Sequence, residues 1–452
     1  MNIKNYKNIH FIGIGGISMS ALAEILNTWG HNVTGSDFQQ TDMTEHLQNV
    51  GITVFFGHSE KNITDKTDLI VYNAAISEDN PERAEGRRRN IPELGRAELI
   101  GELMKEYKFP ISVAGTHGKT TTSSMVSEVF MAAGLDPTVS IGGILPSIHS
   151  NYRLGAEDYI ILETCEYRDS FLSFNPYASI ILNIDRDHTD YFKSMEQMYN
   201  SFNKFINRTK GFIVVNSEIP KLETAVKDFK GEIITYGGKD AQWQAKNVEI
   251  IKGCGSFDAC FEGEKQLHID LSVPGVHNIS NALAVTALCK KFGVSNEGII
   301  SGLKAFHGTG RRFERKGSLN GALVVDDYAH HPTEIKATLE AAKQMDCSRI
   351  VIAFQPHTYT RTKDLFSEFV DALSLADKIY LLDIYAAREK DPGDIHSRDL
   401  MEKLKERGKD ASYSPSFEAC AEELRSELKD GDLFITIGAG PVNKVGEMLL
   451  AN

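Results

Sequence analysis

Residues 110–121 read PISVAGTHGKTT, and this stretch decides the fold because it joins an apolar strand to a helix through a short glycine loop. The run at 110–114 has the length and composition of a strand in a parallel sheet. Beyond the loop, apolar residues between 125 and 130 recur with helical spacing. Glycines let backbone N–H groups close around a phosphate, and a helix N-terminus attracts negative charge. The stretch therefore predicts a phosphate-binding loop at 115–121.

Two residues of this loop carry the side chains that nucleotide chemistry needs. Lys119 can reach the terminal phosphates of a nucleotide, and the hydroxyl of Thr120 can ligate Mg²⁺. The usual form of such a loop, GxxxxGK[ST], requires glycine at position 113, where this chain has Val113. The loop is therefore the shorter GxxGK[ST] form. The alternative interpretation is a glycine-rich turn with an exposed lysine.

The chain begins a strand–helix pattern three times, which predicts an α/β protein of three domains. We expect these domains at 1–107, 108–310 and 311–452, with the first and third Rossmann-like and the central one of the P-loop ATPase type. Short alternating segments at 237–273 predict antiparallel strands at the edge of a mostly parallel central sheet. Ligands bind outside the carboxyl ends of parallel strands, where polar residues concentrate in all three blocks. We therefore expect one composite site.

The composition excludes several classes of protein. Of 452 residues, 41% are hydrophobic and 25% are charged, which is typical of a folded globular protein. The net charge of −13 argues against a protein that binds nucleic acid through phosphate contacts. No apolar run reaches the roughly 18–20 residues of a membrane-spanning helix, so we expect no membrane partner. Six scattered cysteines without a CxxC pair indicate free thiols in a reducing cytoplasm. The oligomeric state stays open.

Two further strand ends of the central block carry candidate metal ligands. Glu163 follows the apolar strand 159–162 and resembles the acid that supports Mg²⁺ beside a phosphate loop. A strand-terminal glutamate can equally be a solvated strand end or a helix cap. His188 follows Asp185 and Asp187 at the next strand end, although a lone histidine is more often a structural residue.

The first strand leads into a glycine loop that is similar to a dinucleotide-binding fingerprint. Gly13, Gly15 and Gly16 fit the pattern GxGxxG, but the sixth position holds Ser18 instead of glycine. Asp37 lies 21 residues beyond Gly16, which suits a contact with a ribose or base hydroxyl. The pattern predicts a nucleotide-type ligand and does not require a nicotinamide cofactor.

Other polar segments leave alternatives open. Asn278 precedes a helical pattern and, on helix grounds alone, is better interpreted as a helix cap than as a ligand contact. The adjacent Arg311 and Arg312 suit phosphate charge, although exposed arginine pairs are common. A metal site built from His330, His331 and the nearby aspartates Asp326 and Asp327 is conceivable, but two adjacent histidines cannot easily face one ion, so we discount it.

Together these motifs resemble the Mur ligase family over essentially the whole chain. The segments that carry the resemblance are GIGGISMSALAEIL (13–26), AGTHGKTTT (114–122), LETCEYRDSFL (162–172), NIDRDHTDYF (183–192), GVHNISNALA (275–284), GRRFE (310–314), VVDDYAHHPTE (324–334) and FQPHTYTRT (354–362). Two positions depart from the pattern of many relatives, which read EADES at 163–167 and carry arginine where Thr358 stands.

The resemblance implies an enzyme whose three domains bind, in order, a UDP-sugar, ATP and an amino acid. The implied reaction is the ATP-dependent ligation of L-alanine to the carboxylate of UDP-N-acetylmuramate through an acyl phosphate, with Mg²⁺, in peptidoglycan precursor synthesis. A ligase of the same family that attaches a tripeptide to this UDP-sugar is the nearest alternative. A folate polyglutamylating ligase, a nucleotide sensor without catalysis and a dinucleotide oxidoreductase are weaker alternatives.

The resemblance also assigns roles to individual residues. It implies that the UDP-sugar site is lined by Gly13, Gly15, Gly16, Ser18, Asp37, Asn73, Ala74 and Ala75. It implies that ATP is bound by Gly115, Thr116, His117, Gly118, Lys119, Thr120, Thr121, Asn278, Asn281, Arg312 and Asp327. It implies that the metal is held by Thr120, Glu163 and His188, and that the catalytic residues are Lys119, Glu163, His188, His357 and Arg361.

Overall fold

A computed structural model describes residues 1–73, 75–189, 191–387 and 389–451, whose strands form three separate sheets. The sheets span residues 8–95, 109–274 and 314–437. This is the three-domain α/β architecture expected from the sequence, and the exact domain limits at 107/108 and 310/311 stay a prediction. Within the described part of the chain, no helix is long and apolar enough to cross a membrane.

The N-terminal sheet has five parallel strands in the order β3-β2-β1-β4-β5. Its strands are β1 (Asn8–Ile12), β2 (Asn32–Asp37), β3 (Thr53–Phe56), β4 (Leu69–Tyr72) and β5 (Glu93–Gly95). Its helices are α1 (Ile17–Thr28), α2 (Asp42–Asn49), α3 (Pro81–Arg88) and α4 (Arg96–Leu103). The glycine loop follows β1 at the centre of the sheet, where the strand order reverses, and such a switch point forms a ligand-binding crevice.

The central sheet has ten strands in the order β15-β14-β13-β12-β11-β10-β6-β9-β7-β8. The strands are β6 (Phe109–Ala114), β7 (Thr138–Leu145), β8 (Ser150–Arg153), β9 (Tyr159–Glu163), β10 (Ala178–Ile181), β11 (Phe212–Asn216), β12 (Glu232–Tyr236), β13 (Trp243–Ile251), β14 (Cys254–Phe261) and β15 (Glu264–Pro274). The helices are α5 (Lys119–Ala132), α6 (Met195–Ile206), α7 (Leu222–Ala225), α8 (His277–Lys291) and α9 (Asn296–Ala305). Strand β14 is antiparallel to both β13 and β15, as the alternation at 237–273 predicts.

The C-terminal sheet has six strands in the order β16-β17-β21-β18-β19-β20. The strands are β16 (Glu314–Leu319), β17 (Ala322–Asp327), β18 (Arg349–Phe354), β19 (Lys378–Leu381), β20 (Asp410–Tyr413) and β21 (Asp432–Ile437). The helices are α10 (Pro332–Lys343), α11 (Tyr359–Asp364), α12 (Phe366–Leu373), α13 (Ser397–Glu406), α14 (Phe417–Glu427) and α15 (Asn443–Leu450). Strand β16 is antiparallel to β17, whereas the other strands are parallel.

The N-terminal and central domains share one continuous apolar core. Leu99 and Ile100 of α4 belong to the same buried cluster as Phe171 and Phe202 of the central domain. The contact is close, because a Cβ added at Gly101 would lie 2.1 Å from the backbone oxygen of Ser173. Helix α4 is therefore fixed against the central domain, and its first residues lie beside the ends of the central strands.

Candidate active site

A large cavity lies between the central and C-terminal domains at the carboxyl ends of their strands. Its volume is about 1590 Å³. The predicted site residues that line it are His117, Gly118, Thr120, Thr121, Glu163, Asn278, Asn281, Arg312 and Asp327. Ile17 of the N-terminal domain also lines it, so residues from all three domains meet around one space. Lys119, His188, His357 and Arg361 are not part of this lining.

The phosphate-binding loop has the backbone that its glycines predict. Gly118 has a φ of 83° and precedes α5, whose N-terminus has no side-chain cap. The amide of His117 donates to Oδ1 of Asn183 at 2.8 Å, and Thr116 donates its amide to the carbonyl of the same asparagine. A Cβ at Gly115 would lie 2.9 Å from Cβ of Leu182. The loop is thus held tightly while the N–H groups at the start of α5 remain available to an anion.

Lys119 forms a buried ion pair with a residue that the sequence analysis missed. Its Nζ donates to the carbonyl oxygens of Gly115 and Thr116 at 2.5 and 2.9 Å and lies 3.1 Å from Oε2 of Glu166. The Glu166 side chain is fully buried. Burial acts to lower the pKa of Lys119, but the negative charge of Glu166 outweighs it and holds this pKa above its usual value. Lys119 is therefore a fixed cation.

Glu166 also contacts His188, so one carboxylate serves two cations. Oε1 of Glu166 lies 3.6 Å from Nε2 of His188. Burial favours the neutral ring, but hydrogen bonds with Cys165 and Glu166 raise the pKa of His188 to about 10. A metal ligand must be a neutral imidazole. In this arrangement His188 therefore binds a metal only after it loses its proton.

Thr120 and Glu163 fit a magnesium ion better than the protonated His188 does. Oε2 of Glu163 accepts a hydrogen bond from the amide of Gly142 at 2.7 Å, which leaves Oε1 for a ligand. A Cβ added at Gly142 would lie 2.4 Å from Oε2 of Glu163, and one at Gly143 would lie 3.2 Å from Cγ2 of Thr120. The two glycines thus keep the space between these side chains open. A carboxylate and a hydroxyl at the edge of a cavity are the oxygen donors that Mg²⁺ prefers.

Two buried asparagines at the start of α8 face the loop. The helix begins at His277 after Val276, so the interpretation of Asn278 as its cap is wrong. Instead, Nδ2 of Asn278 donates to the carbonyl of Pro274 at 2.7 Å, and its Oδ1 accepts from Asn281 at 3.1 Å. Oδ1 of Asn281 lies near Gly118, 3.2 Å from where a Cβ would be. The pair is therefore held in place at the wall of the cavity.

The two adjacent arginines have different environments. Arg311 pairs with Asp326, with Nε 2.9 Å from Oδ2, and donates to the carbonyls of Gly438 and Gly440, so it is structural. Both arginines line the cavity and lie over the ring of Tyr328, Arg311 at 4.9 Å and Arg312 at 5.1 Å. Among the described residues only Arg311 of the two has a carboxylate within 4.0 Å, so Arg312 is the one whose charge remains available at the cavity.

Asp327 lines the same wall of the cavity. Its two oxygens accept hydrogen bonds from the amides of Ala329 at 2.7 Å and Phe313 at 2.9 Å. Burial raises the pKa of Asp327 to about 6 despite these bonds. The carboxylate is therefore ionised at neutral pH and becomes protonated in mild acid.

The predicted catalytic residues of the C-terminal domain, His357 and Arg361, contact the central domain at Asp187. Nη2 of Arg361 lies 3.0 Å from Oδ1 of Asp187, and Nη1 of Arg361 donates to Nδ1 of His357 at 3.0 Å. Burial, together with the neighbouring His330 and the positive charge of Arg361, lowers the pKa of His357 to about 3. Since Nδ1 accepts from Arg361, the ring proton of His357 resides on Nε2. The structure thus brings Arg361 and His357 next to His188, which follows Asp187 in the chain.

A second junction joins the two domains around His117. Its Nε2 lies 3.2 Å from Oδ2 of Asp185 in the central domain, and its Nδ1 lies 3.3 Å from Oε1 of Glu334 on α10. Burial opposes protonation, but these two carboxylates raise the pKa of His117 to about 9. Beside them, Nε2 of His331 donates to the carbonyl of Arg186 at 3.0 Å. The junction is therefore a charged contact across the domain boundary.

Metal-ligand atoms do come together at this junction. His117, Asp185 and His331 offer one atom each within 4.8 Å of one another, and no other such group occurs among the described residues. The adjacent His330 and His331 do not form a site together, because His330 is not one of these three residues. Both nitrogens of His331 are already engaged, since Nδ1 accepts from the amide of Thr333. The arrangement is satisfied as a contact between domains.

In the N-terminal domain, the carboxylate of Asp37 holds the glycine loop in place. Oδ2 of Asp37 accepts from the amide of Gly15 at 2.9 Å, and a Cβ at Gly15 would lie 2.9 Å from the same oxygen. Oδ1 of Asn73 accepts from the amide of Ala75 at 2.8 Å, whereas Ala74 lies outside the described residues. Gly13 packs on Asn73, and Gly16 precedes α1, which has no side-chain cap. The predicted UDP-sugar residues outside position 74 thus lie together around the loop and the uncapped end of α1.

Four side chains of the assembled site escaped sequence reasoning. Glu166, Asp187 and Glu334 lie within the recognisable segments 162–172, 183–192 and 324–334, but without contacts their partners are unknown. Arg96 lies in none of those segments. Its Nη1 donates to Oγ of Ser18 at 3.1 Å, across 78 residues of sequence.

Comparisons with known proteins agree with this geometry. Family models match three parts of the chain: "Mur ligase family, catalytic domain" at residues 8–108, "Mur ligase middle domain" at 113–289 and "Mur ligase, glutamate ligase domain" at 311–440. The UDP-N-acetylmuramate--L-alanine ligase of Acetivibrio thermocellus is 50% identical over 450 residues, which cover 98% of this chain and 96% of that protein.

Solved structures are similar over the same length. The crystal structure of the UDP-N-acetylmuramate-alanine ligase MurC from Thermotoga maritima has 30% identity and a TM-score of 0.83, and the match covers 98% of each chain. A murein peptide ligase from Psychrobacter arcticus has 25% identity and a TM-score of 0.72, again over 98% of each chain.

Proposed function

The chain belongs to the Mur ligase family, and from this membership we propose that it joins L-alanine to the carboxylate of UDP-N-acetylmuramate with ATP, as a step in peptidoglycan synthesis. The single observation that carries the proposal is that one cavity is lined by the phosphate loop, by Ile17 of the N-terminal domain and by Arg312 and Asp327 of the C-terminal domain. Half of all aligned positions are identical in a relative that carries this activity in its name.

The reaction must overcome the poor reactivity of a carboxylate. Attack of a carboxylate oxygen on the γ-phosphorus of ATP forms a new P–O bond, breaks the bond to the bridging oxygen and releases ADP. The amine of L-alanine then attacks the acyl phosphate, and phosphate leaves with one former carboxylate oxygen. No side-chain nucleophile is needed, so catalysis depends on orientation and on stabilising the transferred charge.

Lys119 would supply positive charge to the transferring phosphoryl group. In this structure Glu166 and two loop carbonyls hold its ammonium group, so ATP has to compete with Glu166 for Lys119. The open N-terminus of α5 would bind the same phosphates through its N–H groups. Thr120 and Glu163, with His188 once it is neutral, would hold Mg²⁺, which neutralises charge on the phosphates when bound.

The C-terminal domain would orient the amino acid. His357 is neutral with its proton on Nε2, so it can donate to the carboxylate of L-alanine, and Arg361 provides a positive charge beside it. Asn278, Asn281, Arg312 and Asp327, which line the cavity, would contact the nucleotide. We place this reaction in the cytoplasm, where the free cysteines of the described chain stay reduced.

Product analysis tests the proposal. We expect phosphate release from ATP only when UDP-N-acetylmuramate and L-alanine are both present, and a product whose mass equals UDP-N-acetylmuramoyl-L-alanine. The tripeptide-adding alternative predicts that L-alanyl-γ-D-glutamyl-diaminopimelate replaces L-alanine efficiently. A sensor predicts ATP binding without any turnover. Faster turnover with the tripeptide than with L-alanine, or no turnover at all, would contradict the proposed function.

A further inference from the structure

Arg96 is a partly buried cation that no motif predicts. It is the first residue of α4, and its Nη1 donates to Oγ of Ser18 at 3.1 Å. Among the described residues, no carboxylate lies within 4.0 Å of its guanidinium nitrogens, and this bond to Ser18 is its one side-chain hydrogen bond. A guanidinium group has five donors, so most of its bonding capacity is unused.

The surroundings of Arg96 favour an anionic ligand. Burial acts to lower the pKa of Arg96, whereas Cys165 and Glu163 act in the opposite direction, so the guanidinium group lies near the end of β9. A desolvated cation without a hydrogen-bonded counter-ion is unfavourable. The binding of an anion at this place would remove that penalty.

Ser18 explains why the dinucleotide pattern is broken at its sixth position. Glycine there would offer Arg96 no acceptor, whereas the serine hydroxyl fixes one edge of the guanidinium group. Ser18 lies in the first turn of α1, whose N-terminus is not capped by a side chain. The same turn includes Ile17, which lines the central cavity together with Glu163. Arg96 therefore lies beside the uncapped first turn of α1, and the residue next to its partner Ser18 lines the cavity.

We propose that Arg96 binds the diphosphate of the UDP-sugar and that Ser18 positions its guanidinium group for this contact. The inference rests on the proposed function, because it assigns a further contact to the same substrate. The helix N-terminus and the free edge of the guanidinium group approach the diphosphate from two sides. A guanidinium group binds phosphate oxygens through paired hydrogen bonds, which lysine cannot reproduce.

Calorimetric titration without ATP tests the contact independently of turnover. The probes are UDP-N-acetylmuramate and UDP-N-acetylglucosamine, which share the diphosphate but differ in the carboxylate. We expect Arg96→Met to weaken both ligands by roughly 10- to 100-fold, which is the size of a charge-assisted hydrogen-bonded contact. Arg96→Lys should recover only part of this affinity, and Arg88→Met is the matched control, since Arg88 is exposed and pairs with Glu85.

The titration results distinguish a diphosphate contact from the other possible roles of Arg96. Loss of affinity for UDP-N-acetylmuramate alone would overturn the proposal in favour of a contact with the carboxylate. Unchanged affinity for both ligands would overturn it in favour of a structural role. Ser18→Ala should weaken both ligands less than Arg96→Met and add nothing in the double variant. If Arg96→Met unfolds, Arg96→Lys and Ser18→Ala still decide the question. Failure of the proposed function would appear as absent amide formation by the unaltered protein, which these titrations do not measure.

Discussion

Replacing Lys119 with methionine should abolish catalysis and also destabilise the free protein. Removal of a preorganised charge at the phosphoryl group costs on the order of 10²–10³ in rate. The substitution also leaves the fully buried carboxylate of Glu166 without its partner at 3.1 Å. Breaking a buried ion pair from one side costs about 3–5 kcal/mol. Because His188 remains 3.6 Å from Glu166, we expect the lower end, about 3 kcal/mol.

A double substitution separates these two effects. In Lys119→Met/Glu166→Gln the buried charge is gone, so most of the stability should return while turnover stays absent. The assays are urea unfolding without nucleotide and steady-state phosphate release. Lys336→Met serves as the control, since Lys336 is exposed and pairs with the exposed Glu340 on the same helix. Near-normal turnover of Lys119→Met would refute the phosphate-loop assignment. Unchanged stability of that variant would refute the buried ion pair.

Three further predictions concern metal and pH. Glu163→Gln and His188→Ala should each raise the Mg²⁺ concentration needed for half-maximal rate without changing UDP-sugar affinity measured in the absence of metal. The KM for ATP should rise as pH falls through about 6, where Asp327 becomes protonated, and Asp327→Asn should give a high KM at every pH. The stabilisation of the domain junction by protonated His117 should be complete below its unfolded pKa of about 6.5 and should disappear as pH rises through about 9. Small-angle scattering should then show a larger radius at high pH, and Glu334→Gln should weaken this pH dependence.

Local sequence patterns predict the segment from β6 to α5 well. The strand, the two glycines with positive φ and the buried helix face around Val126 and Val129 are all set by residues close to one another in sequence. The fold class follows from three repeats of this kind. Strands β8 and β16 were not expected to be antiparallel, because the pairing partner of a short strand depends on tertiary contacts and not on its own periodicity.

Of the candidate site, too, the sequence predicts one part and leaves another part unpredicted. Residues at strand ends, such as Glu163 and Asp327, are predictable because the carboxyl ends of parallel strands meet at one edge of a sheet. The residues with which site residues form ion pairs are not predictable in this way. Glu166 meets Lys119 over 47 residues of sequence, and Asp187 meets Arg361 over 174, so only the packed domains reveal these pairs. The interpretation of Asn278 as a cap fails for a similar reason, since its hydrogen bonds depend on how β15 enters α8.

The central claim is that ATP activates the substrate carboxylate at the γ-phosphorus, the end of ATP that Lys119, Thr120 and Glu163 are proposed to face. Oxygen-isotope transfer tests this most directly. With UDP-N-acetylmuramate labelled with ¹⁸O in its carboxylate, we expect ADP as the nucleotide product. We also expect one ¹⁸O atom in inorganic phosphate for every amide formed. Transfer of the label to AMP, with release of pyrophosphate, would contradict it.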